Sequence, residues 1–217
     1  RRFPRSRTER PTGASSAPAA RAIASLIRLA LAILTAAVGT VIFAPVGILA
    51  WPFRRDGEVG LFVTRLWARA ILAAAGVRSV VEVREPLHDG PVVFVCNHVS
   101  ALDIPVLFAA LPHSFRIVYK SSLMYVPLMG QLLVAARNVS IDRSRAFSAT
   151  RSLARAARRI RGGVSVALFP EGTRSRDGYL YKGRTGAARL ALKVGCPIFP
   201  VGVVGTREIQ PPDAKVP

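Results

Sequence analysis

A run of 25 residues without a charged side chain, Leu29–Phe53, constrains most strongly what this chain of 217 residues can fold into. About 20 consecutive apolar residues in a helix are enough to cross the roughly 30 Å hydrocarbon core of a bilayer. Trp51 and Phe53 stand at the far end of the run, where aromatic side chains meet the headgroups of a membrane. The run therefore predicts a membrane-embedded helical segment, which we assign to residues 21–56.

The same run carries Pro45 between Gly39 and Gly47, and these residues interrupt a regular helical pattern. A helix that spans the bilayer and a bent or re-entrant hairpin within one leaflet both fit this pattern. A buried helix of a soluble core is less favoured, because core helices seldom run this long without a charge. A cleaved signal peptide fits poorly, because the run is long and lacks a convincing cleavage site of small residues.

The charge of the chain is one-sided: 31 Lys and Arg against 12 Asp and Glu give a formal net charge of +19. Such a charge favours anionic partners, namely nucleic acid, anionic lipid or phosphorylated substrates. Residues 1–20 are rich in arginine and lack an apolar period, so we expect a disordered basic tail there. Cys96 and Cys196 form no Cys-x-x-Cys pair, and no cluster has metal-ligand spacing. Neither a disulfide framework nor a metal is expected.

From residue 57 onward the apolar period changes, and short β-branched runs alternate with helical stretches. The predicted strands are Ser79–Arg84, Val92–Cys96, Phe115–Tyr119, Val139–Ile141, Val164–Phe169 and Ile198–Val204. The predicted helices are Gly60–Val77, Leu102–Leu111, Met124–Ala135, Arg145–Arg161 and Gly183–Val194. This alternation predicts an α/β domain over residues 57–217, with a layered, mixed but largely parallel sheet flanked by helices. We expect the C-terminus to be truncated, because the last seven residues resemble a loop.

In α/β folds, the polar residues of a site lie in the loops at the carboxyl ends of the strands. His98 follows one predicted strand, and Asp103 comes five residues later, in Asn-His-Val-Ser-Ala-Leu-Asp. If a helix begins near Ser100, its first turn brings Asp103 to the imidazole. A carboxylate on one ring nitrogen fixes the tautomer and leaves the other nitrogen as a general base. A helix-capping His98 and a surface acid at Asp103 form the open alternative.

A second candidate loop follows Val164–Phe169, which runs directly into Pro-Glu-Gly-Thr-Arg-Ser. Gly172 permits a close approach of the backbone, and Thr173 and Arg174 offer donors suited to a phosphate. Glu171 either orients Arg174 or accepts a substrate hydroxyl. A polar turn that carries only a Glu–Arg pair is the alternative.

Further cations extend this pattern. Lys120 ends the predicted strand Phe115–Tyr119, and Arg143 follows the strand Val139–Ile141, so together they would complete a phosphate clamp. The predicted helix Arg145–Arg161 carries six arginines. Alongside a membrane segment, this basic helix favours docking to anionic headgroups, and a merely solvated face is the alternative.

Four sequence blocks, in order, resemble those of one family. NHVSALD and FPEGTRS resemble the NHxxxxD and FPEGTRS blocks of the glycerolipid acyltransferases, specifically the 1-acylglycerol-3-phosphate (lysophosphatidate) acyltransferases. VSIDR resembles that family's FIDR block, and Cys196–Val201 resembles its VPIVPV block. The resemblance implies acyl transfer, without a further cofactor, from acyl-CoA or acyl carrier protein to the sn-2 hydroxyl of lysophosphatidate. It also implies His98 as base, Asp103 as its orienter, and acceptor binding by Lys120, Arg143, Glu171, Gly172, Thr173 and Arg174.

The sequence departs from the family in the second block, where Arg137 and Ser140 replace the usual Gly and aromatic residue. Acceptor specificity is assigned partly to that block, so an acyltransferase for another lysolipid is one alternative. A non-catalytic basic protein that binds membranes or nucleic acid is less favoured, because no nucleic-acid recognition motif is present. Cys96 is expected to be an inert buried thiol rather than a nucleophile. Our leading hypothesis is an enzyme at the cell membrane, with its catalytic domain facing the cytoplasm and membrane lipids as partners.

Overall fold

The computed structural model of the protein describes residues 17–142 and 146–210, in which a five-stranded sheet carries helices on both faces. The strands are β1 (Val93–Cys96), β2 (Phe115–Lys120), β3 (Val139–Ile141), β4 (Ser165–Leu168) and β5 (Ile198–Val201). The helices are α1 (Ala17–Ala50), α2 (Glu58–Ala74), α3 (Asp103–Ala110), α4 (Met129–Ala135), α5 (Ala146–Arg161), α6 (Gly186–Val194) and α7 (Thr206–Ile209). A short 3-10 helix covers Ser121–Tyr125.

The strands lie in the order β3-β2-β4-β1-β5, and each described pair of neighbours is parallel. Parallel neighbours need crossover connections, which α3, α4, α5 and α6 supply in turn. This arrangement confirms the predicted α/β class. Because β1 and β4 are neighbours, the loops that follow Cys96 and Leu168 leave the sheet side by side at its carboxyl edge.

Alternate residues of β1 enter two different hydrophobic cores. Phe94 and Cys96 pack in a core with residues of α2 and α3. Val93 belongs to a second core with residues of α5 and α6. The sheet is thus buried on both faces, as expected of a parallel sheet, and it holds the ends of β1 and β4 rigidly.

The apolar run forms one continuous helix, α1, which passes through Pro45 and packs against α2. Small residues allow the close approach, since a Cβ atom at Gly39 would lie 2.9 Å from Cδ1 of Trp67 in α2. The indole N–H of Trp67 donates to the carbonyl of Ala36 (3.1 Å). Within Ile23–Ala50, the most apolar window has a mean hydropathy of 2.3 and is 17% buried. This helix is therefore long and apolar enough to cross a membrane, and most of it faces outward.

Arg116 of β2 ties the helical hairpin of α1 and α2 to the sheet. Its guanidinium donates to Oε1 of Glu58 at the start of α2 (2.8 Å) and to the carbonyl of Asp56 (2.9 Å). Burial alone would raise the pKa of the Glu58 carboxyl, but hydrogen bonds from Ser114 and Arg116 outweigh it and lower the pKa. Arg116 is 1% exposed, so loss of Glu58 would leave a buried charge without its counter-ion.

Three sequence-based predictions differ most from the structure, and the strand predicted over Ile198–Val204 ends earlier, at Val201. The predicted strand Ser79–Arg84 is wrong, because it pairs with no strand in the described sheet and Val80 is 92% exposed. The predicted helix Met124–Ala135 is interrupted, because Pro127 has no N–H to donate and Leu128 has a φ of +62°. The basic tail was predicted over residues 1–20. Residues 1–16 lie outside the described part of the chain, and residues 17–20 form the beginning of α1.

Candidate active site

His98 and Asp103 meet at the carboxyl end of β1. The chain leaves the sheet after Cys96, and Asp103 is the first residue of α3, so the intervening loop folds back on itself. Nδ1 of His98 lies 2.8 Å from Oδ2 of Asp103. Asp103 is fully buried, whereas the His98 side chain is 13% exposed. The structure therefore brings together the two residues that the five-residue spacing predicts.

The hydrogen bonds around Asp103 fix the tautomer of His98. Oδ2 also accepts the backbone N–H groups of Val99 (2.7 Å) and Ser100 (2.9 Å). Because this oxygen already accepts two N–H donors, the imidazole donates to it through Nδ1–H. Nε2 then carries the lone pair and has no hydrogen-bond partner among the described residues. This arrangement suits a general base.

Phe169, at the end of β4, sets the plane of the imidazole. Its ring stacks on the His98 ring with centroids 4.0 Å apart and an interplanar angle of 16°. Stacking leaves the two ring nitrogens accessible at the ring edge, so it orients His98 without blocking Nε2. The sequence analysis assigned no role to Phe169.

Glu171 joins the loop after β4 to the loop after β1. Its Oε1 accepts the backbone N–H of His98 (2.9 Å), and its Oε2 accepts the backbone N–H of Tyr181 (3.0 Å). The side chain is 6% exposed. Both carboxylate oxygens are therefore engaged within the protein, and Glu171 supports His98 rather than contacting Arg174.

The rest of this loop presents cations to solvent. Arg174 is half-buried and Thr173 is exposed, and Arg174 makes no hydrogen bond or ion pair with the described residues. Gly172 has a φ of +76°, and a Cβ atom there would lie 3.4 Å from Nε of Arg184. Arg184 was missed by the sequence analysis, although it is a cation near the same predicted loop.

The other two predicted clamp residues lie farther along the sheet. Lys120 ends β2 and is exposed. Since β4 separates β2 from β1, Lys120 stands roughly 10 Å to the side of the β1 end. Arg143 lies outside the described residues. It follows Ile141, which pairs in register with Lys120.

Two polar side chains with no assigned role connect the β1 loop to the segment after β5. The Asn97 amide donates to the carbonyl of Val203 (2.9 Å) and accepts its backbone N–H (2.7 Å). The hydroxyl of Thr206 donates to Oδ1 of Asp103 (2.5 Å). Thr206 could have been found in the sequence as a polar residue just beyond the predicted strand Ile198–Val204.

Cys96 is unsuited to be a nucleophile. It is 1% exposed, and burial, together with the charge of Asp103, raises the pKa of its thiol to about 12. Only a thiolate attacks efficiently, and it is nearly absent at neutral pH for such a group. Cys96 therefore offers no nucleophile beside His98 and Asp103.

An apolar cavity of about 530 Å³ opens beside the pair. It lies between the ends of β1 and β5 and the stretch 178–183, and its walls include Val95, Val99, Leu180, Pro200 and Val203. Glu171 also borders it. His98 and Asp103 do not line this cavity, but Asn97 and Val99, the neighbours of His98 in the chain, do.

The fold and the site define a class of protein: an α/β domain with a hydrogen-bonded His–Asp pair at the carboxyl edge of a parallel sheet. The Acyltransferase family model matches residues 78–204, and the chain belongs to this family. This membership confirms the resemblance found in the four sequence blocks.

Relatives of known name agree with that membership. The chain is 30% identical over 187 residues to a 1-acyl-sn-glycerol-3-phosphate acyltransferase of Cocos nucifera, covering 85% of this chain and 60% of the relative. It is 34% identical over 169 residues to LPAT1, the chloroplastic 1-acyl-sn-glycerol-3-phosphate acyltransferase of Arabidopsis thaliana, covering 77% and 46%. The chain therefore spans about half the length of these curated relatives.

The solved structure of PlsC, the 1-acyl-sn-glycerophosphate (LPA) acyltransferase of Thermotoga maritima, has a similar fold. The TM-score is 0.74 at 25% identity, and the match covers 89% of this chain and 79% of that one.

Proposed function

We propose that this chain is a membrane-bound O-acyltransferase that moves a fatty acyl group from acyl-CoA or acyl carrier protein to the sn-2 hydroxyl of lysophosphatidate, giving phosphatidate for phospholipid synthesis. The observation that carries the proposal is the His98–Asp103 pair, whose Nδ1–Oδ2 bond of 2.8 Å leaves Nε2 as a base. The names of the relatives and of the solved structure support the choice of acceptor.

The chemistry needs one base and no covalent intermediate on the protein. Nε2 of His98 takes the proton of the acceptor hydroxyl while the hydroxyl oxygen forms a bond to the thioester carbonyl carbon. The C–S bond then breaks, and the departing sulfur takes the proton back from His98. The products are an ester and a free thiol, and Asp103 stabilises the imidazolium between the two steps.

The surroundings of the pair fit two unlike substrates. Arg174, Thr173, Arg184 and Lys120 supply donors and positive charge for the phosphate of the acceptor, and we assign Arg143 and Gly172 to the same clamp. The apolar cavity of about 530 Å³ is suited to part of a fatty acyl chain. The side chain of Arg137 donates to the carbonyl of Arg55, at the amino end of β3. The other departure from the family pattern, Ser140, lies within β3 and pairs in register with Tyr119, next to Lys120 of the clamp.

The geometry of α1 favours attachment within one leaflet over a helix that spans the bilayer. From Arg28 to Gly47, α1 contacts α2, the turn after it, or α4. A helix packed along the domain in this way suits attachment to one leaflet. The outward side chains of α1, such as Leu34 and Leu49, are 59% and 71% exposed and would contact lipid. We place the catalytic domain on the cytoplasmic side, where acyl-CoA and acyl carrier protein are made.

Thiol release from palmitoyl-CoA tests this function, measured with purified protein in lipid nanodiscs, with and without lysophosphatidate. We expect release that depends on the acceptor, with phosphatidate as the extracted product. His98→Ala should lower the rate by about 10²- to 10⁴-fold without a change in thermal unfolding.

Each other outcome has a clear meaning. Near-wild-type turnover by His98→Ala would exclude His98 as the base. Thiol release without acceptor would indicate a thioesterase. Faster transfer to lysocardiolipin than to lysophosphatidate would replace the proposed acceptor, and transfer only from acyl carrier protein would identify the donor.

A further inference from the structure

Thr206 is a buried residue that contacts Asp103 of the His98–Asp103 pair. It is the first residue of α7, is 3% exposed, and donates its hydroxyl proton to Oδ1 of Asp103 at 2.5 Å. The two residues are 103 positions apart in the chain. The match to the family model ends at residue 204, before Thr206.

The two carboxylate oxygens of Asp103 have different partners. Oδ2 accepts from the imidazole of His98 and from two backbone N–H groups. Oδ1 accepts a hydrogen bond from the hydroxyl of Thr206, and no other described residue donates to Oδ1. The torsion that turns a carboxylate about its Cβ–Cγ bond is soft, so its plane is set by the hydrogen bonds to both of its oxygens. A second anchor on Oδ1 fixes the plane and keeps Oδ2 directed at Nδ1.

We propose that Thr206 is a positioning residue for acyl transfer, whose hydroxyl holds the Asp103 carboxylate in the plane that orients the His98 imidazole. The inference rests on the proposed function, because it assigns Thr206 to the same base. Thr206 acts through Asp103 and touches no substrate.

The segment that carries Thr206 is itself held against the β1 loop. The two hydrogen bonds between the Asn97 amide and the backbone of Val203 clamp it three residues earlier. Gly205 has a φ of +87°, a conformation that glycine adopts without strain, and it turns the chain into α7. The hydroxyl of Thr206 is therefore presented to Asp103 by a fixed backbone.

Matched substitutions separate the hydroxyl from the bulk of the side chain. Thr206→Val keeps the shape and removes the donor, whereas Thr206→Ser keeps the donor and removes a methyl group. Thr64→Val is the control, because Thr64 is also buried and its hydroxyl donates to a backbone carbonyl, that of Gly60 (2.7 Å). We expect Thr206→Val to lower kcat by about 10- to 100-fold, the loss typical of a hydrogen bond to a charged group. KM for both substrates should stay within about twofold of wild type, with Thr206→Ser and Thr64→Val close to wild type in kcat.

The hydrogen bond from His98 to Asp103 provides a readout that does not depend on activity. The chain has three histidines, so ¹⁵N-histidine labelling gives a simple NMR spectrum of the imidazole groups, in which His98→Ala assigns His98. We expect a downfield Nδ1–H proton of His98 in wild type, Thr206→Ser and Thr64→Val. In Thr206→Val this resonance should move upfield or broaden.

Two results would overturn the inference: an unchanged His98 resonance and kcat in Thr206→Val, or an equal loss of kcat in the Val and Ser variants. If Thr206→Val does not fold, Thr206→Ala removes the hydroxyl without adding a methyl group. Unfolding of both, with Thr64→Val folded, would assign Thr206 a structural role and also overturn the inference. A wild-type protein that transfers no acyl group would refute the proposed function, while the NMR comparison would still decide whether Thr206 positions the pair.

Discussion

The loops that follow the neighbouring strands β1 and β4 are built in opposite ways. In the β1 loop, the side chains of Asn97, His98 and Asp103 all make hydrogen bonds within the protein. In the β4 loop, Glu171 is fully engaged, but Arg174 has no hydrogen bond or ion pair with the described residues.

We infer from this difference that the β1 loop serves catalysis and the outer β4 loop serves substrate binding. A base works best when its orientation is set before the substrate arrives, so a fully hydrogen-bonded β1 loop suits catalysis. A guanidinium is weakly hydrated for a cation, and that of Arg174 has no partner among the described residues, so the outer β4 loop suits a phosphate. Glu171 links the two loops, because its carboxylate accepts the backbone N–H of His98.

The largest expected effect comes from removing the negative charge in the β1 loop. In Asp103→Asn, the amide oxygen can still accept the backbone N–H groups, but it no longer stabilises the imidazolium. We expect kcat to fall by about 10²- to 10⁴-fold with little change in the KM of the acceptor. Steady-state kinetics and thermal unfolding of the purified variant measure both. A loss below about fivefold would show that the carboxylate charge does not assist His98.

Removing the guanidinium of Arg174 from the β4 loop should weaken binding of the acceptor rather than lower kcat. We expect Arg174→Ala to raise the KM for lysophosphatidate by about 10- to 100-fold, with a much smaller change for the donor and none in thermal unfolding. Arg84→Ala is the matched control, because Arg84 is an exposed arginine that pairs with Glu82 in the segment before β1. Equal increases in the KM of both substrates would remove Arg174 from the clamp.

Substitution of Glu171 distinguishes its predicted role in acceptor binding from the hydrogen bonds that it accepts from the backbone of His98 and Tyr181. In Glu171→Gln, one of the N–H groups of His98 and Tyr181 faces an NH₂ group instead of an oxygen. We expect the free energy of unfolding to fall by about 1–3 kcal/mol, measured by urea denaturation, with a several-fold loss of kcat. If Glu171 only contacts the acceptor, as the sequence predicts, the variant should raise the KM of the acceptor and leave unfolding unchanged.

Local spacing predicted the part of the site that lies within one loop. His98 and Asp103 are five residues apart, and a helix that starts at Asp103 necessarily turns the carboxylate back toward the loop. The alternation of strands and helices likewise gave the α/β class, because it depends on short-range periodicity.

The contacts that complete the site cross 71 to 106 positions of the chain, and no local pattern encodes them. Spacing therefore did not predict that Glu171 and Phe169 contact His98, or that Thr206 contacts Asp103. The strand predicted at Ser79–Arg84 failed for a related reason. Its β-branched residues favour an extended backbone, but pairing requires a neighbouring strand, which the described sheet does not provide.

The smallest expected effect concerns Cys96. This residue ends β1, next to the loop that carries His98, and the proposed mechanism does not use it. With a thiol pKa of about 12, its thiolate fraction at pH 8 is on the order of 10⁻⁴. We expect Cys96→Ala to keep kcat within about twofold of wild type. In a Cys196→Ala background, Cys96 should react with N-ethylmaleimide only after unfolding in urea. Rapid alkylation of the folded protein in step with inactivation would show that the β1 loop opens, and that its hydrogen bonds do not hold the base rigid before substrate binds.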